Sequence, residues 1–302
     1  MRIRNWVLIA GMVLMSISAR AERFVLVGSW QDGSINRYRL DGSLVGKFVS
    51  TGSGGLSFPD GMAYGTDGNL YVSDASNARV LRYNGSTGAF MGTFATGGLQ
   101  RAGYSAFGPD GMLYVCSNGD NAVHRFDPTT GAWLGAFASV SGMKYPAGLA
   151  WIGNTMYVSG FQSGKVYKFD ATSGASQGAL TATFRQPLYV RAGLGGNLYV
   201  SEYGRNSVAR YNLATNQTVL NISNQVNGPV GQAVLPDGTL LIASWNWGII
   251  NKYDEATGAL LGTFASGFPM CNDLLVTPDI VPAPSVGAVI AMGLLVGCRR
   301  RR

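Results

Sequence analysis

The chain has 302 residues, of which 46% are hydrophobic and 13% are charged, and its formal net charge is +7. Seven basic residues lie in the two terminal segments, whereas the residues between those segments contain 16 basic and 16 acidic side chains. This balance gives no indication of nucleic-acid binding, and three cysteines are too few for a disulfide-stapled domain. Many glycines and few charges are typical of an all-β protein with short strands.

The first 21 residues have the layout of a secretory signal peptide. Arg2 and Arg4 precede an apolar run of 13 residues, and Ala19-Arg20-Ala21 then forms a small-x-small cleavage site. The run is shorter than the ~20 residues that span a bilayer. We therefore predict export and cleavage after Ala21, with an uncleaved membrane anchor as the alternative.

A repeat fills the middle of the chain. Six related segments, most of them close to Leu-Tyr-Val-Ser, begin 42 to 44 residues apart, at Leu26, Leu70, Leu113, Met156, Leu198 and Leu241. A period in the low forties with several strands in each unit is typical of a β-propeller. We therefore predict six blades over residues 22–279.

Each unit contains the elements of a four-stranded blade. An innermost strand, such as Met62-Ala-Tyr64, precedes the Leu-Tyr-Val-Ser strand. The third strand ends in a basic residue and an aromatic one, as in Arg82-Tyr83, and a Gly-containing hairpin turn leads to an outer strand. We interpret the aromatic residues as packing between blades and the basic stems as lying along the sheet.

The two ends of the array predict how the ring closes. The first unit lacks an innermost strand before Phe24, and residues 268–279 resemble an innermost strand with nothing after it. We predict that three N-terminal strands and one C-terminal strand share a blade, which protects both edges.

The pattern from Phe58-Pro-Asp-Gly-Met62 to Val80-Leu-Arg-Tyr83 closely resembles NHL repeats, and is similar to the senescence-marker-protein/gluconolactonase family of six-bladed propellers. The latter resemblance implies a divalent-metal site at the mouth of the channel. Its ligands would be Asp60 and Asn272, and calcium or magnesium would be the cofactor. The family's Glu-Gly-Pro segment is Asn227-Gly228-Pro229 here, and Val230 is apolar where another Asn is expected.

The loops that leave the Leu-Tyr-Val-Ser strands should meet on one face around the channel, where concave sites usually form. They are rich in aromatic and short polar residues. The candidate ligand-binding residues are Trp30, Asp74, Asn118, Phe161, Glu202, Tyr203, Trp245 and Trp247. Flat rings beside Asn and Asp suit a polar ligand with apolar faces, such as a glycan. We interpret His124, the single histidine, as structural.

The end of the chain resembles the PEP-CTERM sorting signal of bacterial surface proteins. Pro282 and Pro284 precede 13 apolar or small residues and the basic cluster that begins at Arg299. The resemblance implies processing of residues 280–302 by a sorting machinery, with transient membrane contact through this tail. A simple C-terminal anchor is the alternative.

These observations together predict an exported protein of the cell surface, the envelope or the extracellular space. We expect a non-catalytic module that binds a glycan, a matrix component or a surface protein. The alternative is a divalent-metal-dependent lactonase of the gluconolactonase-like type.

Overall fold

In the computed structural model, the described part of the chain, residues 22–267 and 270–278, contains 24 strands in six four-stranded antiparallel sheets. In chain order the strands are β1 (Phe24–Ser29), β2 (Ser34–Arg39), β3 (Leu44–Val49), β4 (Pro59–Tyr64), β5 (Leu70–Asp74), β6 (Arg79–Tyr83), β7 (Phe90–Ala95), β8 (Ala102–Phe107), β9 (Leu113–Ser117), β10 (Ala122–Phe126), β11 (Trp133–Ala138), β12 (Pro146–Ile152), β13 (Thr155–Gly160), β14 (Lys165–Asp170), β15 (Ser176–Ala179), β16 (Pro187–Ala192), β17 (Asn197–Glu202), β18 (Ser207–Asn212), β19 (Gln217–Ile222), β20 (Pro229–Val234), β21 (Thr239–Ser244), β22 (Ile249–Asp254), β23 (Leu260–Ser266) and β24 (Cys271–Val276). Short 3₁₀ helices occur at Ser53–Gly55, Ala75–Asn77, Leu194–Gly196 and Tyr203–Arg205. The predicted six-bladed β-propeller is therefore confirmed.

The ring closes as the sequence predicted. The C-terminal strand β24 pairs with β1 in the sheet β24-β1-β2-β3, with Val25 opposite Val276 and Ser29 opposite Cys271. The backbone N–H of Phe24 donates to Oγ1 of Thr277 at 2.9 Å. Residues 23–278 form one compact unit. Two of the predicted segments lie outside the described residues. They are the signal peptide, which ends at Ala21, and the tail that contains Pro282, Pro284 and Arg299.

The cores lie within and between the blades. The aromatic residue of each basic–aromatic pair is at most 6% exposed, at Tyr38, Tyr83, Phe126, Phe169, Tyr211 and Tyr253. Several of the basic partners lie over aromatic rings; the guanidinium carbon of Arg37, for example, lies 4.8 Å from the ring centroid of Phe24. These contacts stabilise the sheets by burying apolar area and by cation–π attraction.

His124 is part of this structural framework. It is 3% exposed, and its Nε2 lies 2.7 Å from a carboxylate oxygen of Asp120. The indole N–H of Trp133 donates to its Nδ1 at 2.8 Å. The histidine thus links a loop of its blade to the outer strand β11.

Glycine and larger side chains alternate around the central axis. The third residues of the six innermost strands are, in ring order, Gly61, Tyr104, Gly148, Tyr189, Gly231 and Asp273. A Cβ on each of these glycines would come within 3 Å of the backbone of the next innermost strand. The glycines therefore allow close approach of neighbouring strands, and this leaves space at the axis for two tyrosines and an aspartate.

We expect Gly61→Ala to lower the free energy of unfolding by ~1–3 kcal/mol, because its Cβ would lie 2.4 Å from the backbone nitrogen of Ser105. Gly28→Ala is the matched control, since its Cβ would make ordinary contacts of 3.6 Å or more. Urea denaturation of both variants measures the difference. Equal stability of the two variants would contradict the proposed packing constraint.

Candidate functional site

A cavity of about 210 Å³ opens at one end of the central axis. Its wall is built from loops that follow the second strand of a blade and from the first residues of the innermost strands. Of the ten candidate ligand-binding and metal-ligating residues, seven lie in this wall: Trp30, Asp60, Asn118, Phe161, Tyr203, Trp245 and Asn272. Five of the six loops that follow a second strand therefore contribute a side chain.

Two groups of aromatic rings form the sides of the cavity. The rings of Trp30 and Trp245 are 5.2 Å apart and nearly perpendicular, at 83°. Phe161 lies 5.6 Å from Tyr145 and 6.2 Å from Tyr203, with interplanar angles of 52° and 62°. These rings are half-buried, so they present apolar surface to the cavity while remaining packed against one another.

The floor of the cavity is closed by the side chains on the axis. Tyr189 lines the cavity and packs against Tyr104 in a perpendicular arrangement, with ring centroids 5.3 Å apart. Tyr104 in turn lines a wider cavity at the opposite ends of the innermost strands. Tyr189 and Tyr104 therefore stand between the two cavities.

Asp60 is the carboxylate in the cavity wall. Its Oδ1 accepts a hydrogen bond from Nδ2 of Asn272 at 2.9 Å, and the hydroxyl of Tyr189 donates to its backbone oxygen at 2.9 Å. Burial raises the pKa of Asp60 to about 6. Hydrogen bonds from Asn272 and Tyr189 and the positive charge of Arg101 lower this pKa, but by less than burial raises it. Above pH 6 the cavity therefore contains an ionised acceptor.

Arg101 supplies the opposite charge. Its guanidinium carbon lies 5.5 Å from the ring centroid of Trp30 and 6.0 Å from that of Tyr145. Its positive charge lowers the pKa of Asp60. Sequence reasoning missed Arg101 and Tyr145, because both lie in loops that precede innermost strands and carry no repeat motif.

Asn118 is a buried amide in the wall. Its side chain is 4% exposed, its Nδ2 donates to the backbone oxygen of Pro146, and its Oδ1 has no hydrogen-bond partner in the protein. The side chain fits because residue 103 is glycine, where a Cβ would lie 2.7 Å from Nδ2. An unpaired buried acceptor is costly, which makes a ligand or water donor favourable at this wall.

Asp74, Glu202 and Trp247 lie outside the lining of the cavity. Asp74 is buried and accepts a hydrogen bond from Arg79 at 3.0 Å. Glu202 is buried and accepts hydrogen bonds from Arg205 and from the backbone of Arg185, each at 2.8 Å. Both carboxylates hold neighbouring loops together, because a buried charge needs compensating donors. Trp247 is 49% exposed.

The expected divalent-metal site does not fit the donors present. Asn272 directs its amide N–H₂ group, rather than its oxygen, at Asp60. Oδ1 of Asn227 accepts from Asn246 at 2.9 Å, and Val230 is apolar and 1% exposed. Calcium and magnesium need several convergent oxygens. Within residues 22–267 and 270–278 there is also no group of three or more His, Cys, Asp or Glu with a metal-binding arrangement.

A family model described as "Outer membrane protein assembly factor BamB" matches residues 31–261. This family differs from the NHL and gluconolactonase-like families that the motifs resemble. No curated protein matches the chain.

Two solved structures share the fold at 14% identity, and each match covers 85% of this chain and 99% of the other. One is described as a nidogen/laminin complex, with a TM-score of 0.71. The other is a protein of unknown function from Bacteroides caccae, with a TM-score of 0.66. At this identity the likeness establishes the fold alone. Within the described residues, no helix has the length and hydropathy needed to cross a membrane.

We expect the free energy of unfolding to fall as the pH rises from about 4 to 8. Burial raises the pKa of Asp273 to about 8 in the folded protein, against an ordinary value of 3.8. The folded state therefore keeps a proton that the unfolded state has lost, which gives a slope of at most about 1.4 kcal/mol per pH unit from this group. Asp60 acts in the same direction up to about pH 6.

Urea denaturation at several pH values checks this expectation. Asp273→Asn should flatten the profile and be less stable than the wild type at pH 5, because the amide cannot accept from both Met62 and Leu274 as the carboxyl oxygens do. Asp41→Asn is the control, since hydrogen bonds from Ser43 lower the pKa of this exposed carboxyl. An unchanged slope in Asp273→Asn would overturn the assignment.

We also expect no specific binding of calcium or magnesium at Asp60. Isothermal titration of the full chain and of Asp60→Ala should give the same heats, because the Oδ1 atom of Asp60 already has an amide donor. Tight binding that is lost in Asp60→Ala would restore the metal site.

Proposed function

The chain belongs to the family described as outer membrane protein assembly factor BamB, and on this basis we propose that it is an exported, non-catalytic interaction module of the cell envelope. It binds its partner through the face that bears the aromatic cavity. The observation that carries the proposal is the convergence of Trp30, Phe161, Tyr203 and Trp245 on one cavity with the polar groups of Asp60. A concave site with apolar walls and a few polar groups is the usual form of a binding site.

A binding role is supported over a hydrolytic one by the chemistry of the cavity. The lactonase alternative needs a cation to polarise a carbonyl group, and the donors around Asp60 do not fit one. His124 cannot act as a base in the cavity, because Asp120 and Trp133 engage both of its ring nitrogens within its own blade.

The location is part of the same proposal. The family is described as an outer membrane protein assembly factor, and residues 1–21 have the layout of a signal peptide. We propose that the PEP-CTERM-like tail delivers the propeller to the surface through the sorting machinery. We also propose that the repeats are of the NHL or gluconolactonase-like subtype, which their motifs resemble.

We expect Trp245→Ala to weaken binding of the full chain to isolated envelope fractions of its source organism by about tenfold, because one large aromatic contact is removed. Trp247→Ala is the matched control, since this exposed tryptophan is two residues away and outside the cavity. Co-sedimentation over a range of envelope concentrations measures both variants. All variants carry the same terminal segments, so the difference between them reports on the cavity face.

Equal loss of binding in Trp245→Ala and Trp247→Ala would contradict a role for the cavity. Wild-type binding in both variants would do so as well. Urea denaturation of each variant confirms that any loss comes from the missing contact rather than from unfolding.

A further inference from the structure

The size of the cavity limits the part of a ligand that it can enclose to about one ring. An engineered protein cavity of roughly 150 Å³ holds one benzene molecule, and the cavity at the mouth of the axis measures about 210 Å³. One six-membered ring with several substituents fits this space. The closed floor formed by Tyr189 and Tyr104 means that a chain can enter only by its end.

The arrangement of the rings indicates the shape of the ligand. An aromatic ligand gains from offset stacking on one ring face or from an edge-to-face contact, whereas a saturated ring can turn C–H groups to several faces at once. The neighbouring rings in the wall are inclined by 52° to 83° to one another, so they do not form a parallel slot. Inclined faces instead match the C–H surfaces of a puckered saturated ring.

The charges in and beside the cavity favour an uncharged ligand. A cation would compete with Arg101, whose guanidinium already lies over Trp30 and Tyr145. An anion would meet the buried carboxylate of Asp60, and a second negative charge would add to the cost of burying the first. A neutral group with hydroxyls can instead donate to the Asp60 carboxylate without adding a charge.

The buried amide of Asn118 supplies a further polar contact. Its side chain is 4% exposed, and its Oδ1 lacks a partner in the protein. That oxygen is fully buried, so a ligand hydroxyl can donate to it only if the side chain turns it toward the cavity. Acceptors at Asp60 and Asn118, set among inclined aromatic faces, form a site for a hydroxylated ring.

We propose that the cavity binds one neutral sugar ring at the end of a glycan. This inference deepens the proposed function, on which it rests: the envelope partner is recognised through a terminal sugar. A protein partner that inserts an amino-acid side chain is the competing outcome of the test.

The test uses methyl glycopyranosides as probes, because they offer the same ring with different charges. Methyl glucoside, galactoside, mannoside and N-acetylglucosaminide are neutral, whereas methyl glucuronide is anionic and methyl 6-amino-6-deoxyglucoside is cationic at the pH of the experiment. Binding to the full chain is measured at pH 7.5 by saturation-transfer NMR and tryptophan fluorescence. We expect at least one neutral glycoside to bind with a Kd on the order of 1 mM, and both charged probes to bind at least about tenfold more weakly.

The variants locate the site. Trp245→Ala and the nearly isosteric Asp60→Asn should each lower the affinity for the neutral probe by about tenfold. Trp247→Ala should bind the probe with the affinity of the wild type. Asp60→Asn keeps the shape of the side chain, so it tests the cavity even if Trp245→Ala fails to fold. Tighter binding of a charged probe, or binding that none of the cavity variants affects, would overturn the inference.

Two outcomes separate this inference from the proposed function. If envelopes bind in a Trp245-dependent manner but no neutral glycoside binds or competes, the sugar is excluded and a protein partner takes its place. If a neutral glycoside binds in a Trp245-dependent manner but envelopes do not, the sugar-binding site is supported and the proposed binding to the envelope is contradicted.

Discussion

The close approach of the six innermost strands around the axis is the constraint on which the rest of this propeller depends. Gly61, Gly148 and Gly231 each face the backbone of the next innermost strand, with no room for a Cβ. The intervening positions are larger, and Tyr104, Tyr189 and Asp273 fill the space that the glycines leave. Small and large residues alternate because six strands cannot converge on one axis with six large side chains, and six glycines would leave a void.

This packing also determines the form of the cavity. Because Tyr189 and Tyr104 occupy the axis, the opening between the loops is a closed cup rather than a through-channel. The same packing buries Asp60 and Asp273, and this burial raises the pKa of both carboxyl groups. The stability of the ring and the polarity of the candidate site are therefore linked through the same few side chains at the axis.

The sequence indicated part of the candidate site. Trp30 and Trp245 occupy equivalent loops of a repeat whose geometry places all such loops on one face. Asp74 and Glu202 occupy equivalent loops as well, yet they turn away into ion pairs with Arg79 and Arg205. Arg101 and Tyr145 carry no motif, and both have positive backbone φ values in irregular loops. Loop side chains point where local turns and neighbouring blades direct them, and a one-dimensional pattern does not contain that information.

By itself the sequence determined the number of blades, the four strands in each and the shared blade that closes the ring. Period-2 alternation and a repeat of 42 to 44 residues are local properties of the chain. Only the tertiary structure decided which loop side chains share the cavity, that its floor is closed, and that Asn272 directs an N–H group at Asp60 instead of a metal-binding oxygen. These features depend on contacts between residues such as Asp60 and Asn272, which are far apart in the chain and meet only when the ring is complete.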